Sequence, residues 1–359
     1  MYHHDPLLSC LHEQNEAFSS TRKFDSSTWL SPYWPKRESY LSTGANSHPL
    51  RVEVIKPFEP FPSAVALLVR SLSPSVGLPY TFVVKINDIR HSIRDDVRYF
   101  QPWSLSLEAS LRAVVEHTMQ GTSDQYNPDL IQMKAWEEEM DNYEFRKSCY
   151  DREIAAYRHL RTLQSHDVPR FYGTFRYPFK SSIGSSFKHE SDMGASILDS
   201  AEGMVLEYVD SLNLEEAHSD VSTPRPDVER ASEATLQIMK RLRNLGLWHG
   251  DCRAENVLMR RQAPHDPVLI DFGCSSIKRP TESLAQWIAT HDEIQDMQYV
   301  LSEAGMHIES PQREFADPPN VYLYFNRMVE RRSEERGVDG AILRPGKGGW
   351  AGVCYEDGG

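Results

Sequence analysis

Long apolar runs and dense blocks of positive charge are both missing from the 359-residue sequence. No run of apolar residues approaches the roughly 20 residues that a membrane-spanning helix needs. The 39 lysines and arginines are outnumbered by 52 aspartates and glutamates, which leaves a net charge of −13. Because nucleic acids and anionic lipid surfaces attract positive charge, we expect neither nucleic acid nor membrane as a partner.

Cysteine is scarce, and its spacing indicates no pairing. The five cysteines stand at positions 10, 149, 252, 274 and 354 and form neither a C-x-x-C pair nor a disulfide framework. This usage suits a reducing compartment. The first residues also lack the basic-then-apolar pattern of a secretion signal. We therefore expect an intracellular protein, cytoplasmic or nuclear.

The pattern of apolar residues changes along the chain. Branched apolar residues fill three short runs, Leu50–Val54, Ala64–Val69 and Thr81–Ile86, which predict an antiparallel sheet. Between Asp227 and Leu245 they recur at helical spacing, and Gly246 follows where a helix cap belongs. Strands followed by mostly helices predict an α+β fold of two unequal lobes, a small antiparallel-sheet lobe and a mostly helical one.

The same patterns predict four parts of the chain. An N-terminal extension covers residues 1–46, and the first lobe covers 47–209 with an insertion at about 98–142. The second lobe covers 210–335, and a glycine-bearing flexible tail covers 336–359.

The polar residues with the clearest chemical pattern follow the long predicted helix. Residues 247–258 read LWHGDCRAENVL, and Asp271 comes fifteen residues after Asn256 in the run VLIDFG. Two oxygen ligands on adjacent turns, Asn256 and Asp271, can hold Mg²⁺ against phosphate oxygens. Asp251, five residues before Asn256, can accept or orient the proton of an attacking hydroxyl.

This segment resembles the catalytic loop of protein kinases, H-x-D-x-x-x-x-N followed by D-F-G. The resemblance implies a two-lobed protein-kinase-like fold that binds ATP and Mg²⁺. It implies that Asp251 positions the acceptor hydroxyl and that Asn256 and Asp271 are the metal ligands. Arg253, two residues after Asp251, resembles the basic residue that meets the γ-phosphate in protein kinases.

The resemblance extends into the first lobe. The run FVVK, which ends at Lys85, resembles the lysine-bearing strand of kinases. This implies that Lys85 binds the α- and β-phosphates and that Val83 borders adenine. Residues 151–160, DREIAAYRHL, resemble the helix whose glutamate pairs with that lysine. The implied partner of Lys85 is Glu153, although 68 residues separate the two in sequence.

Residues 204–209, MVLEYV, resemble the strand and hinge that hold adenine in kinases. The resemblance implies that the Glu207 carbonyl and the Val209 backbone N–H bind the base, that Leu206 guards the back of the pocket and that Leu258 forms its floor. It covers about residues 50–330, and the chain is similar to the divergent kinase-like proteins of filamentous fungi.

Three features depart from the kinase pattern. The first turn, residues 55–63, contains no glycine, whereas kinases place a glycine-rich loop over the phosphates. Gly250 stands where protein kinases usually have arginine. No A-P-E segment follows D-F-G, so the substrate-docking segment is expected to be short or rebuilt.

These residues leave three functions open. Arg253 and the helix and hinge segments favour a protein Ser/Thr kinase, which is the first expectation. The His249-Gly250-Asp251 run and the missing A-P-E segment favour a small-molecule kinase of the aminoglycoside or choline kinase type. The glycine-free turn suggests a catalytically weak pseudokinase that acts as a binding scaffold. We expect an ATP-dependent kinase whose partners are ATP and a hydroxyl-bearing acceptor, either a protein or a small molecule.

Overall fold

A computed structural model describes residues 38–41, 50–58, 64–72, 77–91, 103–119, 130–178, 199–291 and 293–306. The chain divides into two compact units, one of residues 1–136 and 172–206, the other of residues 137–171 and 207–359. The predicted tail at 336–359 and the glycine-free turn at 59–63 lie outside the described residues, as do most of the predicted extension and much of the predicted insertion. The predicted domain boundaries stay a prediction.

The first unit is built around a six-stranded sheet in the order β1-β2-β3-β4-β6-β5. Its strands are β1 Glu38–Leu41, β2 Leu50–Pro57, β3 Val65–Ser71, β4 Thr81–Asn87, β5 Phe171–Pro178 and β6 Ser200–Glu207. Strands β1 to β4 pair antiparallel in succession. The three apolar runs of the sequence correspond to β2, β3 and β4, so the predicted antiparallel sheet is confirmed.

One face of this sheet carries the core of the unit. The buried cluster consists of side chains from β2 to β6, namely Val52, Val65, Leu67, Val69, Phe82, Val84, Ile86, Phe175, Tyr177, Ala201 and Val205. Along β4 these buried residues alternate with Val83 and Lys85, which are half-buried. Because successive side chains of a strand point to opposite faces, Val83 and Lys85 lie on the face away from the core.

Two helices follow the first strands in sequence. They are α1 Leu105–Met119 and α2 Leu130–His159. On α1, Leu111 and Val115 are buried at helical spacing, and Arg112 is ion-paired with Glu108 and Asp199. Helix α2 is 30 residues long, and its part from residue 137 onward belongs to the second unit. The kinase-like run at 151–160 lies in this part.

The second unit is mostly helical. Its further helices are α3 Leu214–Ser219, α4 Arg225–Asn244, α5 Leu284–Thr290 and α6 Ile294–Glu303. Its short strands are β7 Ser211–Asn213, β8 Leu247–Trp248, β9 Val257–Arg260, β10 Val268–Leu269 and β11 Ser276–Ile277. They form one sheet in the order β10-β9-β7 and a pair, β11-β8.

Helix α4 is the helix that the apolar spacing between Asp227 and Leu245 predicts. It buries one stripe of side chains: Val228, Ala231, Ser232, Thr235, Leu236, Ile238, Met239 and Leu242. Gly246 follows it with a backbone φ of +73°, a conformation that suits glycine at a helix end.

The architecture confirms the predicted fold class. It is α+β, with a small antiparallel sheet in the N-terminal part and mostly helices in the C-terminal part, as in a two-lobed kinase-like fold. Within the described ranges, no helix combines the length and apolarity that a bilayer span requires.

Candidate active site

The polar segment of the sequence forms a tight loop between β8 and β9. In it the Asp251 side chain is buried, and its Oδ2 atom accepts hydrogen bonds from Arg253 Nη2 and Asn256 Nδ2, both at 2.9 Å. Asn256 Nδ2 also donates to the backbone carbonyl of Asp251 at 3.0 Å. Both side-chain bonds are made to Oδ2 and neither to Oδ1.

His249 connects this loop to the strand that precedes Asp271. The ring is fully buried, its Nδ1 accepts from the backbone N–H of Asp251 at 3.3 Å, and its Nε2 lies 3.0 Å from the carbonyl oxygen of Ile270. Burial lowers the pKa of His249, so the ring is neutral at physiological pH. Since a carbonyl can only accept, the proton is on Nε2.

Asp271 follows β10 in a strained backbone conformation. Its φ of +64° and ψ of +72° lie in the left-handed region, which costs free energy in a residue other than glycine. The preceding residue, Ile270, donates its backbone N–H to the carbonyl of Asn256 at 3.0 Å. Because β9 and β10 are paired antiparallel, this bond brings the end of β10 beside Asn256. The structure thus brings Asp251, Asn256 and Asp271 into one region.

A stack of aromatic rings supports this region. Phe272 is fully buried, and its ring centroid lies 4.8 Å from that of His249 and 5.3 Å from that of Tyr157. Tyr157 stacks in turn on Phe171 at 5.9 Å. These rings come from the loop between β8 and β9, the segment after β10, helix α2 and the start of β5. The stack therefore holds Phe272 and the backbone next to Asp271.

Glu293 is a buried acidic residue that the sequence did not reveal as part of the site. Its two carboxylate oxygens accept the backbone N–H groups of His249 and Gly250, each at 2.6 Å. The Cys252 thiol lies 3.6 Å from one of them. Burial raises the pKa of Glu293 to about 7, against the opposing effect of the backbone N–H donors. No spacing rule could reveal Glu293, because 42 residues separate it from Asp251.

The predicted nucleotide-binding residues are distributed over both units. Lys85 and Val83 belong to the sheet of the first unit, whereas Glu153 is buried in the part of α2 that belongs to the second. Glu207 ends β6, and its side chain accepts the backbone N–H of Arg170 at 2.9 Å. Its own backbone N–H donates to the Arg170 carbonyl at 2.8 Å. These bonds fix the backbone at the predicted hinge.

The other two predicted adenine-binding residues also lie in the second unit. Val209 is buried, and Leu258 is half-buried on β9, where it pairs with Val268 and Asn213. The adenine-binding roles of Val83, Glu207, Val209 and Leu258 stay predictions.

The donors in the loop fit Mg²⁺. Asn256 uses its amide nitrogen twice, toward the carboxylate and the carbonyl of Asp251, so its Oδ1 is the atom oriented to bind a cation. Asp271 supplies a carboxylate. Two oxygen donors of this kind suit Mg²⁺, which retains water and takes phosphate oxygens as further ligands. The described residues contain no cluster of three or more acidic, histidine or cysteine side chains that would hold a metal without such phosphate oxygens.

Part of the chain is similar to a known protein family. Residues 189–324 match a family model described as the phosphotransferase enzyme family. No curated protein matches the chain. The matched segment contains Asp251, Asn256, Asp271 and Glu293 but neither Lys85 nor Glu153. Over these residues the chain is therefore similar to phosphotransferases, the enzyme class that includes aminoglycoside and choline kinases.

Proposed function

We propose that the protein transfers the γ-phosphoryl group of Mg²⁺-bound ATP to the hydroxyl of a small, positively charged acceptor. The observation that carries this proposal is the buried Asp251 carboxylate, held through Oδ2 by Arg253 and Asn256 with Oδ1 available to an acceptor. The similarity to phosphotransferases supports the reaction class. It also favours a small-molecule acceptor over the protein acceptor that the sequence placed first.

In the proposed reaction Asp251 orients the acceptor. Its Oδ1 accepts the hydrogen bond of the acceptor hydroxyl and takes the proton as the new oxygen–phosphorus bond forms and the bond to the ADP oxygen breaks. Arg253 holds the Asp251 carboxylate in place and offers positive charge to the γ-phosphate. Mg²⁺, when bound by Asn256 and Asp271, neutralises phosphate charge.

The remaining nucleotide contacts are proposed from the sequence. Lys85 would bind the α- and β-phosphates, with Glu153 as its ionic partner. The Glu207 carbonyl and the Val209 N–H would bind adenine, with Val83 and Leu258 against its two faces. Such reactions depend mainly on positioning and on neutralisation of charge, which these residues would supply.

A pair of carboxylates supports a cationic acceptor. Glu215, in the first turn of α3, lies within electrostatic reach of Glu255, which follows Arg253 by two residues in the sequence. Partial burial and, next, the charge of Glu255 raise the pKa of Glu215. Arg253, which contacts Asp251, lies within the same electrostatic reach and opposes this rise in the pKa of Glu215. An ammonium group of the acceptor would further stabilise these two carboxylates.

The test is Asp251→Asn, which keeps the shape of the side chain and removes the proton acceptor. We expect turnover to fall by roughly two to four orders of magnitude, with ATP binding nearly unchanged. Transfer from γ-labelled ATP is measured against amino alcohols and aminoglycosides, and in parallel against Ser/Thr peptides.

The matched control is Asp210→Asn, because Asp210 is an exposed aspartate of the same unit paired with Arg261 at 3.5 Å. Its rate should equal that of the wild type. Full activity of Asp251→Asn would refute the assignment of the proton acceptor. Transfer to peptides alone would restore the protein kinase as the function, and ATP binding without any transfer would indicate the scaffold.

A further inference from the structure

The hydroxyl of Tyr157 stands out among the buried polar groups of the second unit. The residue is fully buried in α2, with its ring held between Phe171 and Phe272. Within the described part of the chain, no hydrogen-bond partner is found for its hydroxyl oxygen. Buried hydroxyls nearly always have a partner, because leaving one unpaired costs free energy. A phenylalanine would fill the same ring stack without this cost.

The neighbours of the Tyr157 hydroxyl connect it with the proposed metal site. Glu153 lies one helical turn before Tyr157 on the same face of α2 and is itself buried. On the other side, the Phe272 ring that Tyr157 contacts belongs to the residue after Asp271. Burial, and next the charges of Glu153 and Asp271, raise the pKa of Tyr157 well above its usual range. The hydroxyl therefore stays protonated and lies within electrostatic reach of both carboxylates. It can stabilise either of them only by donating a hydrogen bond.

We propose that Tyr157 is a positioning residue of the metal site: its hydroxyl donates a hydrogen bond to the Asp271 carboxylate, directly or through one water, when Asp271 binds the Mg²⁺–nucleotide. This inference rests on the proposed function. Asp271 is the acceptor in this proposal because it is the proposed metal ligand, whereas Glu153 is the proposed ionic partner of Lys85. Hydrogen bonds to metal-binding carboxylates orient them and increase their affinity for the metal.

The test is Tyr157→Phe, which keeps the aromatic stack and removes one oxygen. The full-length protein is melted with a saturating, non-hydrolysable ATP analogue over a series of Mg²⁺ concentrations, which gives the midpoint of the Mg²⁺-dependent stabilisation. We expect the midpoint of Tyr157→Phe to rise about tenfold, the lower end of the usual effect of such partners. Without Mg²⁺ the variant should melt at the same temperature as the wild type or higher, because it loses an unpaired buried hydroxyl.

The matched control is Tyr150→Phe. Tyr150 is a second buried tyrosine of α2, and its ring lies against the Lys147 ammonium at 5.4 Å. This variant loses the same oxygen from the same helix and should keep the wild-type Mg²⁺ midpoint. A rise in the midpoint of both variants would show a general effect of helix α2 and would overturn the role of Tyr157.

The remaining outcomes separate this inference from the proposed function. If the wild type responds to Mg²⁺ and Tyr157→Phe has the same midpoint, the positioning role is wrong and the proposed function stands. A lower melting temperature without Mg²⁺ and an unchanged midpoint would show a purely structural hydroxyl. A wild-type protein that the analogue stabilises equally with and without Mg²⁺ would overturn the metal assignment and this inference together.

Discussion

Gly250 illustrates how a single residue is constrained in this protein. Its backbone φ is +80°, and a Cβ atom built there would lie 2.3 Å from the carbonyl oxygen of Cys274 and 3.1 Å from the Trp248 ring. The carbonyl cannot easily move, because β11 begins at Ser276 and is paired with β8 at Trp248. This contact explains why glycine stands where protein kinases usually have arginine.

We therefore expect Gly250→Ala to destabilise the protein strongly. The left-handed backbone alone costs roughly 1–2 kcal/mol in alanine, and the contact with the Cys274 carbonyl adds to it, so the free energy of unfolding should fall by more than about 2 kcal/mol. Urea denaturation measures this change. Gly77→Ala is the control, because Gly77 has a φ of +90° and the described residues other than its chain neighbours place no atom within 4 Å of the added methyl group. Equal losses in the two variants would contradict the role of the Cys274 contact.

At the scale of elements, the catalytic loop is held by the start of a helix that lies far along the chain. Glu293 immediately precedes α6 and accepts the N–H groups of His249 and Gly250. Met297 and Leu301, on the same helix, are buried. The packing of α6 thus fixes the backbone just before Asp251. Because the Glu293 carboxylate is buried, its two hydrogen bonds to this backbone depend on pH.

The pH dependence follows from the pKa of Glu293, which rises from its ordinary value near 4.5 to about 7 on folding. Because this pKa is higher in the folded protein, folding is favoured when the Glu293 carboxyl is protonated. This contribution to the free energy of unfolding is complete below pH 4.5 and is lost as the pH rises through 7. Glu293→Gln should remove this pH dependence, which corresponds to a decrease of at most about 3 kcal/mol in the free energy of unfolding. It should also lower stability at every pH, because an amide can accept only one of the two N–H groups.

The measurement is the free energy of unfolding of wild type and Glu293→Gln between pH 5 and pH 8. The difference between the two should shrink as pH rises. Parallel curves for the two proteins would show that Glu293 does not titrate in this range.

At the scale of the whole molecule, the residues proposed to bind the nucleotide belong to different compact units. Lys85 belongs to the sheet of the first unit, and Asp271 belongs to the second. If both act on one bound ATP, their contributions to its affinity must depend on each other, because contacts that share a ligand are not independent.

A double-mutant cycle tests this dependence. Lys85→Met and Asp271→Asn should each weaken binding of Mg²⁺–ATP, and the double variant should lose less affinity than the two single losses together, by about 1 kcal/mol or more. Calorimetric titration gives the four affinities, those of the wild type, the two single variants and the double variant. Lys85→Met combined with Asp210→Asn is the control cycle, and its effects should be additive. Additivity in the first cycle would show that Lys85 and Asp271 do not act on the same nucleotide.

Much of the architecture could be predicted from local patterns. Alternating or continuous apolar runs predicted β2, β3 and β4, and helical spacing predicted α4 to within two residues at its start. The order H-G-D, Asn256 and D-F-G predicted residues that the structure brings into one region, and their catalytic roles stay predictions. These signals are readable because strand, helix and loop geometry relate residues that are close in sequence.

Other features were decided only by the tertiary structure. Glu293 reaches His249 across 44 residues, and the Tyr157 ring meets Phe272 across more than 100. A Cβ atom at position 250 would clash with the carbonyl oxygen of Cys274, so only glycine fits there. Such contacts produce no periodic pattern in the sequence, because packing brings together residues that are far apart along the chain. The sequence by itself therefore determined which residues can carry the chemistry, and the packing of α2, α6 and the aromatic stack determined how they are held.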